Sequence, residues 1–461
     1  MSTVQLPPEI WDRIFDYLPF QQQLQKAVVC RAWNKRVAYK AILSLSCSGH
    51  NSQNLIYSIR NTIRNYKNFK IELLRTEQEY LETQHAVLEC SQRFNVQTLS
   101  LELASSVMLE KFVDDHYNWI RTVRNLCLQL VDGENLPVDL LAKLTNLRKL
   151  RLLNITDANA NWTKLLIQLS LIRALTIDAA WHYNDEALDK LIESVSNFTG
   201  LVELTIRSND SACLTTIASN LIHLEKLSLV RLTIRREDRV LDFPSLKHLN
   251  FDVNWFVFDS MTFNINAPLL RYLRISKKIV PFVQFTDRTK IQQMDLFGFS
   301  ISSSHSSFST VETLGLTTQE PANQESILKE MKLFPNILKL TLKVMSKDCS
   351  IEVPCAASFQ HITCLHLNNF VLRMQFFEEI AQHKILQHLT LEECNFSLNA
   401  SSNSVELSHL NYFRVKRVSL PMSVDSFPVV AFGQPPIELV DKIRTHLWRN
   451  DHFNVFSSKW D

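Results

Sequence analysis

The chain has 461 residues, of which 46% are hydrophobic and 21% charged, and its 49 basic residues nearly balance its 47 acidic ones. This composition predicts a folded chain with a sizeable core, and a formal net charge of +2 gives no overall field that would attract nucleic acid or anionic lipid. The six glycines are widely spaced, which excludes glycine-rich phosphate loops, dinucleotide fingerprints and nucleophile elbows.

The first residues lack the basic and apolar regions of a signal peptide, and no apolar run in the sequence approaches the ~20 residues of a membrane span. The nine cysteines include no CxxC pair, a pattern typical of reduced thiols rather than of a disulfide framework. We therefore expect a protein of the cytoplasm or the nucleus, with no membrane or nucleic-acid partner.

Residues 6–34 predict a small helical module that stands apart from the rest of the chain. Pro7 and Pro8, followed by Glu9, are typical of a first helical turn. An apolar stripe follows until Pro19 ends the helix, and two further short helices extend to about Ala41. Because roughly forty residues rarely build an independent core, we expect a partner to complete this module.

This segment resembles an F-box, whose pattern is L-P-x-E-I, then I-F-x-Y-L, then V-C-R-x-W, and residues 6–33 match it along its length. The resemblance implies docking on the Skp adaptor of a cullin–RING ubiquitin ligase, with the following domain holding the substrate. It implies adaptor contacts by Leu6, Pro7, Ile10, Ile14, Phe15, Leu18, Val29, Cys30 and Trp33. For Ile10, Phe15 and Leu18, a place in the core of the module is an open alternative.

The pattern apolar-x-x-apolar-x-apolar then recurs fifteen times, from Tyr66/Phe69/Ile71 to Leu410/Phe413/Val415. Its spacing averages about 25 residues, within the range of leucine-rich repeats. Each copy predicts a short strand whose second and third apolar residues point inward, so that stacked copies form a parallel sheet with one open, concave face. Most of the chain therefore resembles a leucine-rich-repeat protein, although its repeats are irregular. The scarcity of glycine predicts few tight left-handed turns.

The segments between copies differ along the chain. Helical spacing of apolar residues appears at 186–195, 214–221, 327–331 and 376–381, whereas proline and aromatic residues between 232 and 309 favour extended structure. After residue 426 the repeat ends, and Pro435-Pro436 precedes a helix that serves as a cap of the solenoid or, alternatively, as part of a peptide-docking tail.

The predicted fold is therefore α/β, with a short three-helix F-box at 1–46, an irregular leucine-rich-repeat solenoid at 47–426 and a carboxy-terminal cap or tail at 427–461. A parallel sheet forms the concave face of the solenoid, and helices and extended segments form the convex face.

Candidate substrate contacts lie on the open face, where residues beside each central apolar position form columns. One group combines aromatic and charged side chains that are favoured at interfaces. Its candidate contacts are Asp252, Tyr272, Arg274 and Phe297, and a second group near the end of the repeat contains Tyr412 and Arg414. A simple ion pair between Arg274 and Asp295 on neighbouring strands is the alternative to ligand contact.

Cys364, His366 and His388 project onto the same face, but no fourth ligand accompanies them, so we expect neither a metal nor another cofactor. No nucleophile with a paired base and no phosphate loop is apparent, so we expect no catalytic residue.

The sequence thus predicts a non-catalytic substrate-recognition subunit of an SCF-type E3 ubiquitin ligase, which joins the Skp adaptor to a target protein of unknown identity. A repeat scaffold that binds proteins without a role in a ligase is the main alternative, and an extracellular recognition receptor built on the same repeat is a third.

Overall fold

The computed structural model describes residues 42–45, 52–61, 66–73, 77–103, 106–129, 138–156, 161–179, 185–212, 214–234, 240–252, 263–276, 283–285, 290–297, 308–318, 324–345, 353, 361–397, 405–407, 409–416 and 430–431. These residues fall into two compact units. The amino-terminal unit contains the described residues up to 234, and the carboxy-terminal unit contains those from 240 onward.

The amino-terminal unit is built on a parallel sheet. Its strands in chain order are β1 (Ile42–Leu45), β2 (Asn68–Leu73), β3 (Thr98–Leu103), β4 (Asn125–Gln129), β5 (Lys149–Ile155), β6 (Ala174–Ala179), β7 (Glu203–Arg207), β8 (Ser211–Ala212), β9 (Lys226–Val230) and β10 (Thr233–Ile234). The main sheet has eight strands in the order β1-β2-β3-β4-β5-β6-β7-β9, and β8 pairs with β10 in a separate ribbon. Neighbouring strands of the main sheet therefore come from consecutive repeats of the chain.

Helices connect the strands of this unit and cover one face of its sheet. They are α1 (Ser52–Asn61), α2 (Glu77–Arg93), α3 (Ser106–Ile120), α4 (Val138–Ala142), α5 (Trp162–Gln168), α6 (Asp185–Ser196) and α7 (Thr215–Asn220). α6 shows why these segments are helical, since Leu188, Leu191, Ile192 and Val195 recur at helical spacing and are all buried. The helices predicted at 186–195 and 214–221 are confirmed as α6 and α7.

The carboxy-terminal unit repeats this design with fewer described helices. Its strands are β11 (Leu241–Asp242), β12 (His248–Asp252), β13 (Phe263–Asn266), β14 (Tyr272–Ser276), β15 (Val283–Phe285), β16 (Gln293–Phe297), β17 (Thr313–Thr318), β18 (Lys339–Val344), β19 (Cys364–Asn368), β20 (Val371–Arg373), β21 (His388–Glu392), β22 (Asn395–Ser397), β23 (Val405–Glu406), β24 (Tyr412–Lys416) and β25 (Val430–Ala431). The described helices are α8 (Gln324–Met331) and α9 (Met374–Gln382), where helices were predicted.

The main sheet of this unit has eight parallel strands in the order β12-β14-β16-β17-β18-β19-β21-β24. Short strands form three small separate sheets, namely β11-β13-β15, β20-β22 and β23-β25. The three-stranded ribbon lies in the stretch between 232 and 309, where extended connections were predicted in place of helices.

All fifteen predicted copies of the repeat are strands of these two sheets, and the sequence pattern explains why. Neighbouring strands align on their central apolar residues, as in the register Leu126↔Leu150 and Leu150↔Leu175. The second and third apolar residues of every copy with described side chains are at most 6% exposed. Burial of each such side chain stabilises the fold by about 1.5–3 kcal/mol, so the repeated pattern is the main source of stability. The predicted α/β fold with a leucine-rich-repeat sheet is confirmed.

The sheet has one strand more than the repeat pattern predicted. Ile42–Leu45 forms β1, which pairs in parallel with β2 through Leu43↔Phe69 and Leu45↔Ile71. Lys40 stands where the first apolar residue of the pattern would be, so the pattern did not mark this strand. The sheet begins at residue 42, ahead of residue 47, where the repeat was predicted to start.

Four non-glycine residues at strand ends have left-handed backbone conformations, with φ between 55° and 63°: Asn154, Arg231, Asn369 and Glu393. Each lies four positions after the central apolar residue of its strand, and in β5 this position, Asn154, coincides with a shift of register between Leu152 and Ile155. Asn369 is suited to the left-handed conformation, because asparagine tolerates it and the side-chain Nδ2 donates to the carbonyl of Val344 at 3.1 Å. Left-handed backbone conformations in these repeats therefore do not require glycine.

Candidate protein-binding face

The residues that the F-box resemblance assigns to the adaptor all lie outside the described residues, so their contacts remain predictions. The same is true of residues 432–461, which contain the helix predicted after Pro435-Pro436. The geometry of the candidate site comes from the open face of the carboxy-terminal sheet. We use this name for the face whose side chains alternate with the buried residues of β12 to β24.

Backbone hydrogen bonds at the start of each strand set the register of this open face. The carbonyl of Lys247 accepts from the amides of Arg271 and Tyr272 at 2.9 and 3.0 Å, and the carbonyl of Arg271 accepts from Gln292 and Gln293 at the same distances. The strands consequently align as His248↔Tyr272↔Gln293 and Asn250↔Arg274↔Asp295. The residues that were predicted to form columns on this face are therefore neighbours.

Tyr272 and Asp295 form the central contact of the first candidate group. The phenol Oη of Tyr272 donates to Oδ2 of Asp295 at 2.6 Å. Burial raises the pKa of Tyr272 above its usual value, and the hydrogen bond to the Asp295 carboxylate raises it further. Tyr272 therefore remains a neutral donor near neutral pH, with its ring 5.7 Å from that of His248.

Arg274 contacts Phe297 rather than Asp295. The guanidinium carbon of Arg274 lies 5.2 Å from the centroid of the Phe297 ring, a cation–π arrangement. No ion pair joins Arg274 to Asp295, both of whose side chains the structure describes, because the Asp295 carboxylate accepts from Tyr272 instead. Arg274 is exposed, so its donors remain accessible above the aromatic ring. Asp252, the remaining candidate of this group, is half-buried at the end of β12.

Gly315 makes room for the Asp295 carboxylate. It lies opposite Asp295 in the register of β16 and β17. A Cβ atom at position 315 would lie 2.2 Å from Oδ1 of Asp295, which is closer than real atoms approach, and 3.1 Å from its Cγ. Sequence reasoning missed this role, because a lone glycine inside a strand gives no sign of which neighbouring side chain needs the space.

The second candidate group lies on β21 and β24, where His388 aligns with Tyr412 and Thr390 aligns with Arg414. The ring of Tyr412 lies 5.9 Å from that of His388 in a tilted arrangement. The structure thus places Tyr412 beside a second aromatic ring, whereas for Arg414 it describes the backbone position alone.

Cys364, His366 and His388 do not assemble a metal site. Cys364 aligns with His388, whereas His366 aligns with Thr390 and its Nε2 lies 3.5 Å from Oε2 of Glu392. Within the described ranges no group of three His, Cys, Asp or Glu side chains could hold a metal ion. The four described cysteines, Cys90, Cys127, Cys364 and Cys394, are free thiols, and burial raises the pKa of Cys90 to about 12 and that of Cys394 to about 11.

A cavity of about 640 Å³ lies where β16, β17 and β18 begin. Two of its polar residues serve the fold: Thr310 Oγ1 donates to the carbonyl of Ile291 at 2.8 Å, and Asn336 Nδ2 donates to that of Ser309 at 2.7 Å. Because these groups hold neighbouring repeats together, we assign the cavity no ligand.

The parallel sheets, with their strands spaced by one repeat each, define the leucine-rich-repeat class of fold. A comparison with family models matches residues 3–42 to the F-box-like family. The chain thus combines an F-box-like segment with leucine-rich repeats, as its sequence predicted. A search of the curated proteins finds no match to this sequence. No helix in the described part of the chain has both the length and the apolar character needed to cross a membrane.

Among solved structures, the chain is similar to a leucine-rich-repeat protein of Leptospira interrogans, with 14% identity over 90% of this chain and 99% of the other and a TM-score of 0.38. It is also similar to the internalin InlF of Listeria monocytogenes, with 20% identity over 68% and 78% of the two chains and a TM-score of 0.30. The plant peptide hormone receptor RGFR1, solved in complex with RGF2, shows 13% identity over 86% and 78% and a TM-score of 0.26.

Proposed function

We propose that this protein is the substrate-recognition subunit of an SCF-type ubiquitin ligase. The F-box-like segment docks on the Skp adaptor, and through it on the cullin–RING assembly, while the open face of the repeats binds a target protein. The observation that carries this proposal is the F-box-like match at residues 3–42 directly ahead of a leucine-rich-repeat sheet that begins at Ile42.

On the adaptor side, the proposal assigns the contact to the apolar residues of the F-box pattern. Leu6, Pro7 and Trp33 are its main anchors. A segment of about forty residues buries little surface by itself, so docking on the adaptor supplies the apolar burial that its own core lacks. This is the physical reason for expecting an obligatory partner at this end.

On the target side, the proposal assigns the contact to the group around Tyr272 and Arg274. Tyrosine and arginine are the residue types that most often dominate interface energies. The hydrogen bond from Tyr272 to Asp295 and the stacking of Arg274 on Phe297 hold both side chains in place before a partner arrives. Less side-chain entropy is then lost on binding, which favours affinity.

The chain itself catalyses nothing in this proposal. It raises the effective concentration of its target beside the ubiquitin-charged enzyme, and the thioester chemistry belongs to other subunits. Such an assembly works in the cytoplasm or the nucleus.

Proximity labelling in cells, with and without proteasome inhibition, tests this function. We compare the wild-type chain with the triple variant Leu6→Ala/Pro7→Ala/Trp33→Ala. The proposal predicts that the wild type labels the adaptor, the cullin and a set of proteins that accumulate on inhibition. The variant should label the same targets without the adaptor or cullin, and these targets should no longer respond to inhibition. Labelled partners that are indifferent to both inhibition and the variant would instead favour a scaffold without a ligase role.

A further inference from the structure

Three basic side chains on the open face of the carboxy-terminal sheet have no acidic partner among the described residues. Arg274 projects from β14, and Lys339 and Lys343 project from β18. None of the three forms an ion pair within the part of the chain that the structure describes, and the contact that Arg274 makes is with the Phe297 ring. Their charges are thus available to a ligand.

On the corresponding face of the amino-terminal sheet, three of the five described cations form ion pairs with neighbouring strands, and Lys149 and Arg151 on β5 are the exceptions. Lys70 pairs with Glu102 at 3.3 Å, Arg207 with Asp178 at 3.0 Å, and Lys226 with Glu203 at 2.7 Å. Exposed pairs of this kind add little stability, but they remove net charge from the surface. The carboxy-terminal face differs in that none of Arg274, Lys339 and Lys343 has such a partner among the described residues.

The one carboxylate among the open-face residues of β14, β16, β17 and β18 does not offset these cations through direct pairing. Asp295 accepts the hydrogen bond from Tyr272, and it is held against Gly315 on the neighbouring strand. Three positive side chains and one negative side chain leave this region with a net positive charge. We call the region around Arg274, Lys339 and Lys343 the cationic patch.

The open-face residues of β17, beside the two lysines, are small, and two of them carry hydroxyl groups. Between β17 and Arg274 lies β16, with Gln293, Asp295 and Phe297. Thr313, Gly315 and Thr317 on β17 align with Lys339, Thr341 and Lys343 on β18. The threonine and glycine residues rise little above the sheet, so the backbone of a ligand can lie beside the two lysines. The threonine hydroxyl groups can hydrogen-bond to that backbone. With neighbouring strands about 4.8 Å apart, the patch extends about 15 Å across the sheet, which suits a short extended peptide.

We propose that the cationic patch binds an acidic peptide segment of the target protein, recognised through its side-chain carboxylates. The guanidinium of Arg274, held over Phe297, presents a planar set of donors that matches a carboxylate, while the two lysines supply point charges. This inference rests on the proposed function, since it names the chemistry of the segment that the substrate receptor would recognise.

Fluorescence anisotropy with the full chain bound to the adaptor tests the inference. The probe is fluorescein-labelled heptaglutamate, and labelled heptalysine is the charge-reversed control. We expect saturable binding of heptaglutamate that weakens as salt is raised, and no binding of heptalysine. Lys339→Ala/Lys343→Ala should weaken heptaglutamate binding about tenfold, and Arg274→Lys should weaken it several-fold because the planar set of donors is lost.

The matched control is Lys149→Ala/Lys226→Ala, which removes two exposed lysines from the face of the amino-terminal sheet. It should leave heptaglutamate affinity unchanged. Equal losses in the two double variants would overturn the proposal, since attraction would then depend on overall charge alone. Two further probes of similar length separate other ligands. Tighter binding of a peptide with three phosphoserines and no carboxylate side chains, or of a seven-nucleotide uridine RNA, would overturn the assignment to carboxylates.

The adaptor gives an independent readout. If heptaglutamate fails to bind the intact complex, the acidic-peptide inference is wrong while the adaptor contact stands. If the chain binds heptaglutamate but never the adaptor, the proposed ligase role is wrong and the peptide inference stands.

Discussion

Asp295 illustrates how a single residue on one strand sets the position of a side chain on the next. Its carboxylate accepts a hydrogen bond from the hydroxyl of Tyr272, and it occupies the space that a side chain at Gly315 would take. Because Asp295 is held in this way, it does not pair with Arg274, which instead lies over Phe297. The position of the Asp295 carboxylate thus depends on the absence of a Cβ atom at Gly315.

We predict that Gly315→Ala displaces the Asp295 carboxylate and breaks its bond to Tyr272. The added methyl group meets Oδ1 at an impossible 2.2 Å, so we expect the free energy of unfolding in urea to fall by about 1–3 kcal/mol. Gly200→Ala is the matched control, because there the nearest atom, Arg173 Nη1, is 3.4 Å away. Its expected loss is below about 0.5 kcal/mol. Equal losses in the two variants would show that the space at Gly315 is not needed.

At the scale of elements, the repeat pattern predicted the strands well, because the second and third apolar residues of each copy are the ones that the sheet buries. An inward-facing apolar residue has no alternative place in a parallel sheet, so Leu150 and Leu152 mark β5 without ambiguity. The pattern failed at β1, where Lys40 replaces the first apolar residue while the buried Leu45 is retained. The short strands outside the two main sheets, such as β8 and β10, have too few residues to show any periodicity.

The side-chain pairings of the candidate face were less predictable than its backbone. Strand register follows from the apolar pattern, so the alignment of Arg274 with Asp295 was correct. Which groups meet across that register depends on rotamers and on competing partners. Tyr272, which lies diagonally from Asp295, donates a hydrogen bond to its carboxylate, whereas Arg274 lies over the ring of Phe297.

We predict that β1 contributes to the stability of the amino-terminal sheet. Leu45→Ala removes a side chain that is 0% exposed and should lower the free energy of unfolding by about 2–5 kcal/mol. Leu81→Ala makes the same chemical change in α2 at a residue that is 47% exposed, and its expected loss is below about 1 kcal/mol. Urea denaturation followed by circular dichroism measures both. A loss at Leu45 no larger than that at Leu81 would mean that β1 is not part of the folded sheet.

At the scale of the whole molecule, the proposed function assigns two kinds of interaction to different parts of the chain. The F-box-like match covers residues 3–42, and the described sheet begins at Ile42. On the open face of the amino-terminal sheet, Lys70, Arg207 and Lys226 form ion pairs with neighbouring strands, whereas on the carboxy-terminal sheet Arg274, Lys339 and Lys343 form none in the described part of the chain. These differences favour a receptor with an adaptor at one end and target recognition on the carboxy-terminal repeats.

The most direct test of this account is co-purification of the full chain with the Skp adaptor. We predict a stable one-to-one complex on size-exclusion chromatography with the wild type. Leu6→Ala/Pro7→Ala/Trp33→Ala should abolish the complex, while Arg274→Ala, on the open face, should leave it intact. Circular dichroism of each variant confirms that the repeats remain folded. If the wild type does not co-purify with the adaptor, or if the triple variant binds it as well as the wild type does, the account of this protein as a ligase substrate receptor is contradicted.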